Sequence, residues 1–134
     1  AAERASFSLG EINMGILGAT QYMAQIAHFG SACKLVYTGD PIDAAEALRI
    51  GIVDEIVPHD RLRARSMELA KKIASKSPLA IRMAKRCMVK AQQSSLEEGL
   101  QYEEGILAEL WGSDDKDEAV KSFLEKRKPV FTGK

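Results

Sequence analysis

Tyr37-Thr-Gly-Asp-Pro-Ile-Asp-Ala-Ala-Glu-Ala-Leu-Arg-Ile-Gly-Ile-Val53 packs a turn, a helix start and a helix stop into a short run of residues. Asp40-Pro41 reads as a turn, since proline presets the backbone angle that a turn needs. Asp43 followed three residues later by Glu46 has capping-box spacing, in which one side chain accepts from an orphan amide of the opening helical turn and the other reaches back. The helix so opened is short, because Gly51 offers a residue that can leave it in the left-handed conformation. Ile52-Val-Asp-Glu-Ile-Val57 is then rich in β-branched residues and stops at Pro58, which predicts a short strand. Turn, brief helix and strand in close succession describe a mixed α/β segment.

Upstream of this stretch the elements are equally short. Ala5 to Phe7 reads as the end of a strand, and Ser8-Leu9-Gly10-Glu11-Ile12 as a turn that sets a carboxylate beside an apolar residue. Gly15 and Gly18 flank Ile16 and Leu17, after which Thr20 can cap a helix carrying Met23, Ile26 and Ala27 on one side. A second apolar helix is predicted from Gly30 and Ser31 through Tyr37. Downstream of Pro58 the period changes to that of long helices. Leu62, Leu69, Ala70 and Ile73 form one stripe, and Ala80, Met83, Ala84, Cys87, Met88 and Ala91 form the next after Ser77-Pro78. Ser95-Leu96-Glu97-Glu98 is a second capping box, opening a helix through Leu100, Ile106, Leu107, Leu110 and Trp111. A last helix after Ser113-Asp114-Asp115 is predicted to turn Ala119, Val120, Phe123 and Leu124 inward before Pro129 ends it. The expected organisation is an α/β portion over residues 1–58 followed by a helical portion over 59–134.

Composition narrows the function classes. Lysine plus arginine equals aspartate plus glutamate at 19 each, so no whole-chain field draws the protein to nucleic acid or an anionic membrane. Any anion site has to be local. No apolar run approaches the ~20 residues of a membrane span. Cys33 and Cys87 sit in helical apolar patterns, in no pairing with metal spacing, and read as reduced packing residues. His28 and His59 lack a Cys or carboxylate constellation and read as surface or loop residues, while Tyr102 and Trp111 read as core or interface. No metal site is predicted.

The order of pieces, from Ala5-Ser-Phe-Ser-Leu-Gly-Glu-Ile12 through the Tyr37–Val53 block to Ala119-Val-Lys-Ser-Phe-Leu-Glu-Lys-Arg-Lys-Pro-Val-Phe131, resembles the crotonase superfamily, the enoyl-CoA hydratase/isomerase group. The likeness runs over almost the whole chain and starts at the family's second catalytic segment. It implies a crotonase-like α/β fragment: the end of the family's spiral core followed by a helical C-terminal oligomerisation domain. The family's first half supplies the backbone N–H groups that hold the thioester oxygen and a further acidic residue, so this chain is expected to carry a partial site and to be inactive alone.

What the resemblance implies for single residues follows position by position. Glu11 occupies the acidic position of the Phe-x-x-x-Glu-Ile segment, where a carboxyl group beside apolar surface passes a proton to or from the substrate α-carbon; spacing alone describes a solvated turn glutamate. Gly15-Ile-Leu-Gly-Ala-Thr-Gln21 is shorter than the Gly/Pro-rich stretch of common hydratases, and Gly18 is the residue left to position the substrate or its water. Lys126, beside Arg127 and Lys128, matches a lysine near the phosphate end of coenzyme A, though such cations also suit any helix end. Leu107 matches a position where relatives set an aromatic ring on the adenine. The expected ligand is an acyl-CoA, with coenzyme A as the substrate carrier and no covalently bound cofactor. The expected assembly is a homo-oligomer, a trimer or dimer of trimers. The expected compartment is the bacterial cytoplasm or, failing that, the mitochondrial matrix. The expected chemistry is that of a hydratase or isomerase working through a thioester enolate. A thioester hydrolase, a decarboxylase and a non-catalytic helical assembly module are the competing readings.

Overall fold

A computed structural model describes residues 1–134. It consists of two compact units, Ala1–Glu68 and Leu69–Lys134. The first contains strand β1 (Ser6–Phe7), a 3-10 turn (Gly10–Met14), helices α1 (Thr20–Ile26) and α2 (Phe29–Thr38), strand β2 (Ile42–Asp43) and helix α3 (Ala44–Arg49). A second 3-10 turn (His59–Arg61) leads into α4 (Leu62–Ala74), within which the division falls. The second unit continues with α5 (Pro78–Ala91), α6 (Leu96–Trp111) and α7 (Asp114–Leu124). No helix is long and apolar enough to cross a membrane.

The small sheet of the first unit is antiparallel, with Ser6 opposite Asp43 and Phe7 opposite Ile42. Its register ends where Asp43 changes role: the side chain accepts from the Glu46 amide at 2.8 Å and opens α3. Glu46 does not reach back to complete the expected box, and grips Arg49 one turn on instead. The predicted strand over 52–57 is reduced to one parallel bridge between Ala2 and Val57. The reason is local, since the Ile52 and Val53 amides both turn back to the Ala47 carbonyl and finish α3, leaving no extended ladder. The core of this unit lies between α1 and α2, where Met23, Ala32, Leu35 and Val36 are buried with Leu9, Ala27, Ile42 and Ile52 around them. Leu9 and Ile42 thus tie both ends of the segment that carries Glu11 and the Thr38–Asp43 connection to one packed centre.

In the second unit Ser77 caps α5 ahead of Pro78 at its first turn, and Ser95 with Glu98 forms the full reciprocal box that opens α6. Met83 of α5 and Ile106 of α6 are buried. Helix α7 corrects the sequence expectation: Val120, Phe123 and Leu124 are 50%, 81% and 73% exposed, and Ala119 is exposed with them. The side chains it buries are Asp115 and Ser122. Asp115, 2% exposed, accepts the Ser77 hydroxyl at 2.6 Å and the Thr132 and Gly133 amides at 2.7 and 3.0 Å. Burial pushes its carboxyl up, but those donors and the nearby Arg82 outweigh burial and leave it below the usual aspartate range. A buried carboxylate with three donors organises a helix start and a chain end without a charge partner in direct contact.

Candidate active site

Glu11 sits in the 3-10 turn Gly10–Met14, which closes through Gly15 in the left-handed conformation at φ 71°. The Gly15 amide returns to the Ile12 carbonyl and the Ile16 amide to that of Glu11, so residues 15–18 fold back over the turn. The half-buried Glu11 carboxyl then lies against Gly18: a Cβ built there would stand 2.7 Å from Oε1 and 2.9 Å from Cδ. Only a residue without a side chain permits this approach. Glu11 takes part in none of the chain's ion pairs, in contrast to Glu46, Glu55 and Glu118. On the other side of the turn Gly39, the left-handed cap of α2, meets Ile12 and Asn13 in the same close way. Gly18 thus borders the Glu11 carboxyl itself, and Gly39 borders the two residues that follow it in the turn.

Ala19 adopts φ 54° at the start of α1, a left-handed conformation that costs a residue with a Cβ about 1 kcal/mol relative to glycine. The shortened stretch before Thr20 thus keeps a glycine-like bend with alanine in it. Gly18 supplies close approach to Glu11 and Ala19 supplies the reversal.

Lys126 is the second non-glycine residue at positive φ, also 54°. It lies just past α7, where the Lys126 amide returns to the Phe123 carbonyl and the Arg127 amide to that of Ser122. This pair of bonds is the Schellman arrangement, whose left-handed position is normally glycine. Of the three consecutive cations Arg127 is already engaged. Its Nη1 and Nη2 donate to Glu118 at 2.6 and 2.9 Å, its Nε donates to Glu125 at 2.6 Å, and its Nη1 also reaches the Lys128 carbonyl. Glu118 additionally accepts the Val130 amide at 2.7 Å. These donors, Arg127 first, hold the Glu118 carboxyl down at about 2, and the same contacts push the guanidinium up. Lys126 and Lys128 are in no ion pair.

Leu107 is half exposed and lines a groove of about 450 Å³ between α5 and α6 with Ala84, Cys87, Met88, Ile106 and Leu110. On the far side it borders a second slot of about 400 Å³ beside Trp111, Ala119 and Phe131. Lys126 lines neither groove, so the two residues that the sequence grouped together are not brought into one pocket. Trp111 is 63% exposed, with the Lys116 ammonium 5.0 Å from its ring centre. Cys33 and Cys87 are free thiols, and no cluster of three or more His, Cys, Asp or Glu side chains could hold a metal.

A sequence profile of the enoyl-CoA hydratase/isomerase family matches residues 1–134. The chain belongs to that family. It is 38% identical over 135 residues to a probable enoyl-CoA hydratase, echA8, of Mycobacterium tuberculosis, spanning 98% of this chain and 52% of that protein. To the 2,3-dehydroadipyl-CoA hydratase of Escherichia coli it is 35% identical over 137 residues, spanning 100% of this chain and 54% of that protein. Among solved structures, the enoyl-CoA hydratase from Bacillus anthracis superposes with a TM-score of 0.97 at 37% identity, covering 100% of this chain and 53% of that one. The chain spans about half the length of the curated relatives it matches. The crotonase-like assignment made from Tyr37–Val53 and the flanking segments holds for both fold and family, and the mostly helical architecture with its small sheet is that of half a family member.

Proposed function

We propose that the whole protein acts on acyl-CoA thioesters and that Glu11 moves the proton at the substrate α-carbon. The observation that carries this reading is the Glu11 carboxyl, half-buried, free of ion pairs and lying close against Gly18. A general acid or base needs a defined position and an unoccupied lone pair, and a carboxylate already committed to an arginine has neither to spare. Removing the α-proton of a thioester places charge on its oxygen, so the same reaction requires amide donors aimed at that oxygen, from elements other than the Glu11 turn. Hydration, isomerisation, thioester hydrolysis and decarboxylation share that oxyanion requirement, and the short 15–21 segment favours no single one of them. Lys126, projecting from a left-handed turn with no ion-pair partner, is proposed to meet a phosphate of coenzyme A, and Leu107 to offer apolar surface to another part of the same ligand. A homo-oligomer is proposed as the working form, because α7 leaves Phe123 and Leu124 uncovered.

The test is Glu11→Gln in the whole protein. The substitution keeps shape and hydrogen-bonding capacity but not proton exchange, so turnover of a short enoyl-CoA is expected to fall roughly 10²–10⁴-fold while coenzyme A affinity and thermal midpoint stay at parental values. A parental rate, or a loss of rate explained by unfolding, removes Glu11 from the mechanism.

A further inference from the structure

We propose that Glu118 is a positioning residue for Lys126: acting through Arg127, it holds the left-handed turn from which Lys126 meets an anionic ligand. The proposal rests on the reading of Lys126 as a contact for coenzyme A phosphate. A lysine in a position that favours glycine needs surrounding bonds to keep it there, because the backbone alone prefers to leave that conformation. Those bonds converge on one side chain. Glu118 takes Arg127 through both carboxylate oxygens and the Val130 amide through Oε1, so it grips the chain on both sides of residues 128 and 129. Arg127 spends its remaining donors on Glu125, just before Lys126, and on the Lys128 carbonyl, just after it. Residues 125, 127, 128 and 130 are thus joined in one network around Glu118, whose side chain is shielded to 20% exposure against 37% for Arg127. Lys126 holds the left-handed position within this network, and its ammonium, like that of Lys128, is in no ion pair. A bidentate arginine-carboxylate pair fixes direction as well as distance, which a lysine at 127 would not do.

Positioning by Glu118 and a simple field effect of its charge have opposite signs. Deleting the negative charge of Glu118 near a bound phosphate should by itself tighten binding, because a repulsion is removed. Loss of positioning should weaken it. The experiment measures the affinity of free coenzyme A for the whole protein by calorimetry, together with KM and kcat for an enoyl-CoA. The variants are Lys126→Ala, Glu118→Gln, their combination, and Arg127→Lys as a second probe if Glu118→Gln does not fold. Lys126→Ala is expected to weaken binding roughly tenfold, about the worth of one charge-assisted contact. Glu118→Gln is expected to weaken it several-fold with KM raised and kcat unchanged, and the combined variant should bind no worse than Lys126→Ala alone. If Lys126→Ala leaves affinity unchanged, the phosphate reading of Lys126 falls and this proposal with it. If Lys126→Ala weakens binding but Glu118→Gln tightens it, leaves it unchanged or adds to the Lys126→Ala loss, the positioning role alone is overturned.

Discussion

Gly18→Ala is the substitution that most sharply separates a site from a fold. The added methyl would stand 2.7 Å from Glu11 Oε1, 2.9 Å from Cδ and 3.1 Å from Cγ, where ordinary contact begins near 3.4 Å. The carboxyl must retreat by roughly half an ångström or more, or rotate away, since the repulsive wall is steep at these distances. Gly18 is not at positive φ, so the backbone accepts alanine. Displacing a flexible side-chain end costs about 0.5–1.5 kcal/mol in rotamer strain. Reduced freedom of the unfolded chain returns about 0.4–1 kcal/mol. The two offset one another, and the thermal midpoint should hardly move. Chemistry is less tolerant: a misplacement near 1 Å costs on the order of 10²-fold, so the turnover of an enoyl-CoA by the whole protein should drop roughly ten- to a hundredfold. The defect should disappear in a Glu11→Gln background, because there is then no reacting carboxyl left to misplace. A parental rate, or a loss that persists undiminished in that background, would show that the contact between Gly18 and Glu11 has no part in the reaction.

Three further outcomes are expected. Ala19→Gly should raise the thermal midpoint by a few degrees, because removing the Cβ relieves about 1 kcal/mol of left-handed strain that outweighs the added freedom of the unfolded chain; an unchanged or lower midpoint in a differential scan would contradict the strain argument. Glu118 has a folded-state value of about 2 against an ordinary 4.5, so its stabilisation is complete above about 4.5 and is lost as pH falls through about 2. Thermal midpoints of parent and Glu118→Gln should therefore differ at pH 6 and converge toward pH 2, and a pH-independent difference would refute the ionic origin. The chain should also self-associate at micromolar concentration through its uncovered apolar side chains, among them Met88, Leu96, Phe123 and Leu124, and light scattering that finds only monomer would count against that.

What could be read from the sequence was what depends on neighbours a few residues apart. The Asp43 cap, the Ser95–Glu98 box and the Ser77-Pro78 start of α5 all appear as expected, since each satisfies an amide within the next helical turn. Asp115 was read only as part of a helix start. Its donors come from Ser77, 38 residues earlier, and from Thr132 and Gly133, 17 and 18 residues later, so its burial had no local signature. On α7 Asp115 and Ser122 take the inward positions, and Phe123 is turned out. In the first unit the β-branched run 52–57 carried a strand signal, but helix termination claimed its first two amides. For the candidate site, the family resemblance pointed to Glu11 and Lys126, while the local geometry around them had no signature in residue type or spacing. The close approach of Gly18, the reversal at Ala19 and the commitment of Arg127 are properties of backbone angle and partner choice.

The two non-glycine residues in left-handed conformation fall one in each unit: Ala19 next to Gly18 and its Glu11 contact, and Lys126 as the proposed phosphate contact. Glycine would relieve both positions, so the reason for retaining a side chain differs between them. At Ala19 the methyl makes no proposed contact with substrate, and its replacement by glycine should change stability while leaving the rate alone. At Lys126 the ammonium is the proposed ligand contact, so Lys126→Gly should stabilise the turn and weaken coenzyme A binding together. Opposite responses of stability and affinity to one substitution are what distinguish a strained residue kept for a ligand from one kept for packing.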